Sequence, residues 1–384
     1  MGAVTWFQSG DHDCAVSECV QLSLTAGLSY PSLMNQSAMS APCGVWLLAG
    51  RIRPPPPRHS MHNRHMSEAP TLDGRPDEWV TPTPGGAPYA LQYPCGEPPA
   101  SGHVREVAPG VLWLRMPLPF ELDHINLWAL ADQDEHGPGW AIVDTGTKTP
   151  AALAVWRQLI AADGPLAATS QGARITRILC THMHPDHVGM AGWLTRKFQC
   201  RLWMTRLEYL TCRTLAGDTG REAPDEAIRF YHQAGWNEEA LDVYRTRFGG
   251  FGKYMHALPD SFRRLSDDET VRIGAHEWRV IVGRGHSPEH ACLLSDELGV
   301  LVSGDQVPRI SSNVNVFPTA PDADPLGEWI ASTCAPRWAT TFWCCQRTGS
   351  PFVACTPGWT ACHKAITAAW SGCAEAWLTA PGAR

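Results

Sequence analysis

Thr181-His182-Met183-His184-Pro185-Asp186-His187-Val188-Gly189 sets three imidazoles and a carboxylate within a few residues of one another. In an extended segment alternate side chains share a face, so His182, His184 and Asp186 converge on one point. His187 opens the helix that follows and faces a neighbouring position. Such a set suits a borderline-soft divalent metal. A polar loop with incidental histidines is improbable at this spacing. Ile175 to Cys180, directly upstream, reads as a buried strand running straight into the cluster.

Outward from this stretch the pattern alternates between strands and helices. Upstream, Val111 to Leu114, Ile125 to Leu130 and Trp140 to Val143 are short, β-prone, turn-bounded runs, the last ending in Asp144-Thr145-Gly146. The spacing of Leu153, Val155, Trp156 and Leu159 predicts a helix over 150–162. Downstream, 186–198 reads as a helix and Arg201 to Met204 as a strand. Residues 207–254 read as a polar-faced helical insertion over the site, with Phe248 to Tyr254 lining or capping a pocket. Strands resume at Val271 to Ile273, Trp278 to Val282, Ala291 to Leu294 and Val300 to Val302. Two strand-rich halves with interspersed helices predict an α/β sandwich of two sheets flanked by helices.

Two later segments carry further ligand chemistry. Gly283-Arg284-Gly285-His286-Ser287-Pro288-Glu289-His290 places a histidine in a glycine-rich turn after a strand, and Ser303-Gly304-Asp305 places a carboxylate after another. Either alone is weak, since a strand-terminal Asp is more often a turn cap. In this order, after the His cluster, they reinforce one another.

With these segments the chain resembles the metallo-β-lactamase-fold hydrolase superfamily, over roughly Val104 to Ser332. The resemblance implies an αββα sandwich with the site at one edge of the two sheets. It implies His182, His184 and His286 on a first metal, Asp186 and His187 on a second, and Asp305 bridging the two. It also implies Asp144 as support from behind the ligands. His290 is expected to pack and hydrogen-bond rather than ligate. His124, His232, His256 and His276 are expected to be surface or structural. The cofactor expected is a pair of divalent ions, zinc first and iron or manganese behind it. About 3.5–4 Å apart, such ions can share one hydroxide. That hydroxide attacks a carbonyl, with Asp186 as the catalytic carboxylate that orients it. No Gly-x-Ser-x-Gly elbow is present, consistent with a nucleophile that is not a side chain.

The chain of 384 residues is 44% hydrophobic and 18% charged, with a net charge of -7 and no dense Lys/Arg block. That balance disfavours a nucleic-acid partner, and no run approaches the roughly 18 apolar residues of a membrane span. Residues 1–20 lack a basic region followed by an apolar one, so no signal peptide and a cytoplasmic location are expected. Residues 1–65, with Pro54 to Pro57, read as disordered or as translation from a start codon placed too early. Residues 66–103 form a Pro/Gly-rich lead-in, and 104–332 the catalytic domain, with its helical insertion at about 207–260.

The ends differ from the middle in composition. After Thr333 come Cys334, Cys344, Cys345, Cys355, Cys362 and Cys373, together with Trp338, Trp343, Trp359, Trp370 and Trp377. The family pattern requires another histidine on the second metal about 40 residues beyond Asp305, and none stands there. Residues 333–384 are therefore read as an out-of-frame tail. With GC-ending codons, a shifted frame yields a strand, a His-Gly turn and an amphipathic helix, and the His codon straddles Arg347 and Thr348. On this reading the second metal site is incomplete and activity is impaired.

The expected function is metal-dependent hydrolysis of a small thioester, ester or lactone, closest to glyoxalase-II-like thioesterases. The alternatives are a nuclease-type phosphodiesterase of the same superfamily and, should the tail be genuine, a non-catalytic metal-binding protein. Di-iron oxygen chemistry belongs to the superfamily as well, but its members usually carry a flavodoxin-like or rhodanese-like partner domain, and none is visible. The expected partner is a small-molecule substrate.

Overall fold

The computed structural model describes residues 95–120, 122–307 and 314–333 in full, and the backbone strands at 2–3, 25–26, 342–346 and 352–354. Most of the stretch read as disordered or lead-in and the Arg347-Thr348 junction lie outside the described residues.

Two mixed sheets dominate. The first orders its strands Arg263–Leu265, Arg201–Thr205, Ile175–Leu179, Gly137–Val143, His124–Asp134, Val111–Pro117 and Val104–Ala108. The second runs Thr270–Ile273, His276–Gly283, His290–Ser295, Val300–Gly304, Phe342–Gln346 and Phe352–Ala354.

Val111–Pro117 shows why the strands read as nearly continuous apolar runs. Its alternate side chains leave opposite faces. Leu112, Leu114 and Met116 join the core beneath the helices, whereas Val111 and Trp113 join the core shared with the second sheet. Both faces are covered, so both need apolar residues. From the second sheet, Val271, Ile273, Trp278, Val280, Ala291, Leu293, Val300 and Val302 enter that shared core. Trp113 donates its indole N–H to the buried Asn126 Oδ1 at 2.7 Å, which satisfies the indole and the amide oxygen.

Helix Pro150–Leu159 covers the outer face of the first sheet with Ala152, Trp156 and Leu159. Thr149 caps it by accepting the Ala152 N–H, and Pro150 stands at the first turn, where no N–H partner is needed. Helix Pro325–Thr333 packs on strand His276–Gly283 of the second sheet through the buried Trp329. The layers are thus helix, sheet, sheet, helix, as the sequence pattern predicted.

One predicted element divides. The helix expected over 186–198 is two pieces, Pro185–Val188 and Ala191–Phe198. The turn after Asp144 takes the hydrogen bonds that a continuous helix would use. Thr145 donates N–H and hydroxyl to His187 O, and Met190 N–H donates to Gly146 O at 3.0 Å. Helix Pro150–Leu159 is also shorter than expected, since Asp163-Gly164-Pro165 follows and Leu166 N–H folds back to Leu159 O. Between strands Arg201–Thr205 and Arg263–Leu265 lie helices Arg206–Gly217, Asp225–Gln233 and Glu238–Arg247, then the short turn Phe251–Tyr254. Tyr231, Trp236 and Leu241 give the second and third of these helices a small core of their own.

In the tail, backbone strand Phe342–Gln346 pairs in parallel with Val300–Gly304. A parallel ladder is made by backbone groups, and so places little demand on side-chain identity.

Strand directions set the site. Gly137–Val143, Ile175–Leu179 and Arg201–Thr205 run parallel, so Asp144 and the His cluster leave the first sheet at one end. In the second sheet His276–Gly283 and Val300–Gly304 each pair antiparallel with His290–Ser295, and therefore run the same way as each other. His286 and Asp305 follow their carboxyl ends.

Candidate metal centre

His182, His184, His286 and Asp305 each offer a ligand atom, and these atoms lie within 4.8 Å of one another. His182 Nε2 is the hub. It stands 2.9 Å from His184 Nδ1, 3.2 Å from His286 Nε2 and 4.0 Å from Asp305 Oδ2. His286 Nε2 is 3.3 Å from the same Asp305 oxygen. The other oxygen of Asp305 faces His187 Nε2 at 3.2 Å, and Asp186 Oδ2 approaches that nitrogen to 3.8 Å. Asp305 thus stands between the group of three histidines and the Asp186–His187 pair.

Groups behind these candidate ligands orient them. Asp144 ends its strand in the left-handed region, with φ 63°, a conformation that Asp tolerates better than most side chains. From there its carboxylate lies 2.8 Å from His187 Nδ1 and accepts the Thr181 N–H at 2.8 Å and the Thr181 hydroxyl at 2.9 Å. Thr181 Oγ1 also lies 3.0 Å from His182 Nδ1. Protons placed on both Nδ1 atoms leave both Nε2 lone pairs facing the cluster. His290 packs and hydrogen-bonds: its ring stacks on His182 at 4.7 Å, and its Nε2 accepts the Asp305 N–H at 3.1 Å.

The electrostatics fit a cation. Burial, then the neighbouring imidazoles, hold His182 well below the ordinary histidine value. Burial and His286 bring His184 down to about 3. Both rings are therefore neutral, with lone pairs to give. At His187 burial acts in the same direction, but Asp144, Asp305 and Asp186 outweigh it and push the ring up to about 10. His187 Nε2 is buried and makes no hydrogen bond. Without a cation that ring holds a proton among these carboxylates, and a cation held at Nε2 would supply the positive charge in the proton's place. The donors present, imidazole nitrogen and carboxylate oxygen, suit zinc, iron or manganese.

The residues expected to form the site from sequence are thus brought together in two adjoining groups. His124 and His276 pair instead with Asp123 and Glu297. Sequence reasoning missed Thr181 and Glu208. Thr181 adjoins the motif and was open to notice as a hydroxyl beside a ligand. Glu208 gave no signal, being one acidic residue near a helix start. It is fully buried, and burial pushes its carboxyl up to about 7 against the hydrogen bond from Glu289 N–H.

Gly304 sits where a side chain does not fit. At φ 49° an added Cβ would lie 2.7 Å from the His290 ring and 3.1 Å from Thr181 Oγ1. Gly304→Ala is expected to cost roughly 2 kcal/mol or more in guanidinium melts, from the left-handed backbone and the overpacking together. It should also weaken cobalt binding by moving Asp305. A melt within error of the parent protein would count against this account.

Residues 125–333 match the profile of the metallo-beta-lactamase superfamily. Among solved structures, the chain is similar to a beta-lactamase domain protein from Burkholderia ambifaria, with 36% identity and a TM-score of 0.59 over 75% of this chain and 82% of that one. It is also similar to a metallo-beta-lactamase family protein from Thermus thermophilus, with 25% identity and a TM-score of 0.55 over 71% of this chain and 83% of that one. An uncharacterized protein of Aquifex aeolicus (strain VF5) is 25% identical over 134 residues, 34% of this chain. The chain spans about half (49%) of the length of that curated relative.

Proposed function

Because the chain belongs to the metallo-beta-lactamase superfamily, we propose that it hydrolyses a small thioester, ester or lactone with the help of two divalent cations, zinc foremost. The observation that carries the proposal is the convergence of His182, His184, His286 and Asp305. His182, His184 and His286 would hold one cation. Asp186 and His187 would hold the other, with Asp305 between the two. Divalent cations in such a site acidify water towards neutral pH and polarise a carbonyl oxygen.

The chain's own residues supply position and proton handling. His182, His187, His286 and Asp305 are buried, while His184 and Asp186 keep partial contact with solvent, so the site opens on their side. A substrate entering there meets the Asp186 carboxylate first. Asp186 accepts a hydrogen bond from the attacking water and holds its orientation towards the carbonyl carbon. Asp144 keeps His187 turned the right way throughout. Among the described residues no helix is long and apolar enough to cross a membrane. We place the enzyme in the cytoplasm, acting on a soluble substrate.

Metal analysis together with a panel of thioesters, lactones and phosphodiesters tests the proposal. Turnover of a carbonyl substrate, abolished by a chelator and restored by zinc, is expected. Turnover confined to phosphodiesters would move the chain to the nuclease branch. Turnover of none by metal-loaded protein with residues 333–384 restored to the shifted frame would sink the hydrolase reading.

A further inference from the structure

We propose that Glu208 is a positioning residue of this centre, a buried latch that ties both metal-ligand loops to the start of helix Arg206–Gly217. The inference rests on the metal-site reading above and adds a residue to it. Glu208 is the one buried glutamate among the described residues, with 0% exposure. Its Oε2 accepts the Met183 N–H at 2.9 Å, and its Oε1 accepts the Glu289 N–H at 2.7 Å. Met183 lies between the ligands His182 and His184. Glu289 ends the turn that carries His286. One carboxylate therefore holds two loops that are far apart in the chain and meet only at the site.

The grip is reciprocal. Glu289 Oε2 accepts the Leu207 N–H at 3.0 Å, and Glu289 O accepts the Thr205 hydroxyl at 2.7 Å. Leu207 lies in the first turn of the helix, where backbone N–H groups have no partner within the helix. An acidic side chain there is also favoured by the helix dipole. Each loop so gains a fixed attachment that does not depend on the sheets, and the two attachments share one side chain.

A buried carboxylate is unfavourable unless its oxygens are satisfied. Here each oxygen takes a backbone N–H, so the carboxylate fits its surroundings. A rigid link between 181–184 and 284–289 sets His182 and His184 against His286 before a cation arrives. The cation then has less chain to order, and binds more tightly.

Glu208→Gln and Glu208→Ala test the latch. The amide keeps one acceptor but turns an N–H towards the other backbone N–H, and Ala removes both acceptors. Two measurements apply: cobalt(II) titration followed by visible absorption, and hydrogen exchange of the metal-free protein. Cobalt affinity is expected to fall about tenfold in the Gln variant and further in the Ala variant, the range seen when groups behind metal ligands are removed. Exchange at Met183 and Glu289 is expected to quicken at least about tenfold, while the strand His124–Asp134 keeps its protection. Should the Ala variant fail to fold, the Gln variant carries both readouts. Cobalt affinity within twofold of the parent would overturn the latch. Exchange that quickens equally along the whole chain, or nowhere, would also overturn it. The exchange readout needs neither metal nor substrate, so it decides the latch even if no hydrolysis is found.

Discussion

His182→Ala is expected to empty the cation position proposed for His182, His184 and His286 and to cut the proposed hydrolysis by about a thousandfold or more, roughly 4 kcal/mol at 1.36 kcal/mol per tenfold. The size follows from where the ring stands. Its centroid is 4.6 Å from that of His184, 4.1 Å from His187, 4.8 Å from His286 and 4.7 Å from His290. Truncation removes a candidate ligand and also the packing that keeps the other rings apart. His184 and His286 would then face each other across a void, at a ring separation of 4.7 Å in the parent structure. Metal content by elemental analysis, read beside the hydrolysis rate, checks this. A variant with full metal stoichiometry and the parental rate would remove His182 from the centre.

Asp132→Ala should unfold the protein far more readily while leaving the cluster's chemistry alone. Asp132 lies near the end of strand His124–Asp134 and joins the two sheets. It accepts Arg177 Nε at 2.8 Å, the Thr176 hydroxyl at 2.5 Å and the Gly274 N–H at 2.8 Å. Gly274 belongs to the turn between the first two strands of the second sheet. The substitution leaves the Gly274 N–H without its acceptor and takes the carboxylate from the Arg177 guanidinium, which keeps only the Arg272 carbonyl, and from the Thr176 hydroxyl, which keeps only the Trp140 carbonyl. Breaking a buried pair typically costs about 3–5 kcal/mol, and the lower end applies because the Arg177 side chain keeps 15% exposure. Guanidinium denaturation of the metal-free protein should show this loss, with cobalt binding to the folded fraction unchanged. A midpoint shift worth less than about 1 kcal/mol would mean that the two sheets do not depend on this staple.

Most strands and the first-sheet helix were legible because their patterns are local. Trp278 to Val282 and Val300 to Val302 announce themselves by β-branched and apolar runs, and the structure extends them to His276–Gly283 and Val300–Gly304. The helix over 186–198 was misread for an equally physical reason. Its residues are spaced for one helix, but Thr145 and Gly146, distant in sequence, compete for its hydrogen bonds and divide it. Strand Arg263–Leu265 was not anticipated either. Its three residues are too few to show a period, and they form a strand because Arg201–Thr205 offers them a parallel edge.

The same division runs through the site. His182, His184, Asp186 and His187 stand so close in the chain that their clustering is visible in sequence and nearly independent of the rest of the fold. The resemblance that this stretch carries also pointed to His286, Asp305 and Asp144. What sequence by itself determined was therefore the set of ligand candidates and the superfamily. Only the tertiary structure decided that His286 Nε2 reaches His182 Nε2 across 104 residues, that Asp305 stands between two groups of candidate ligands, and that Glu208 grips both loops. Periodicity and spacing report on neighbours along the chain, where strand and helix geometry fix direction. Convergence at the meeting of two sheets depends on register and strand direction, which arise only once the backbone has paired and both faces are buried.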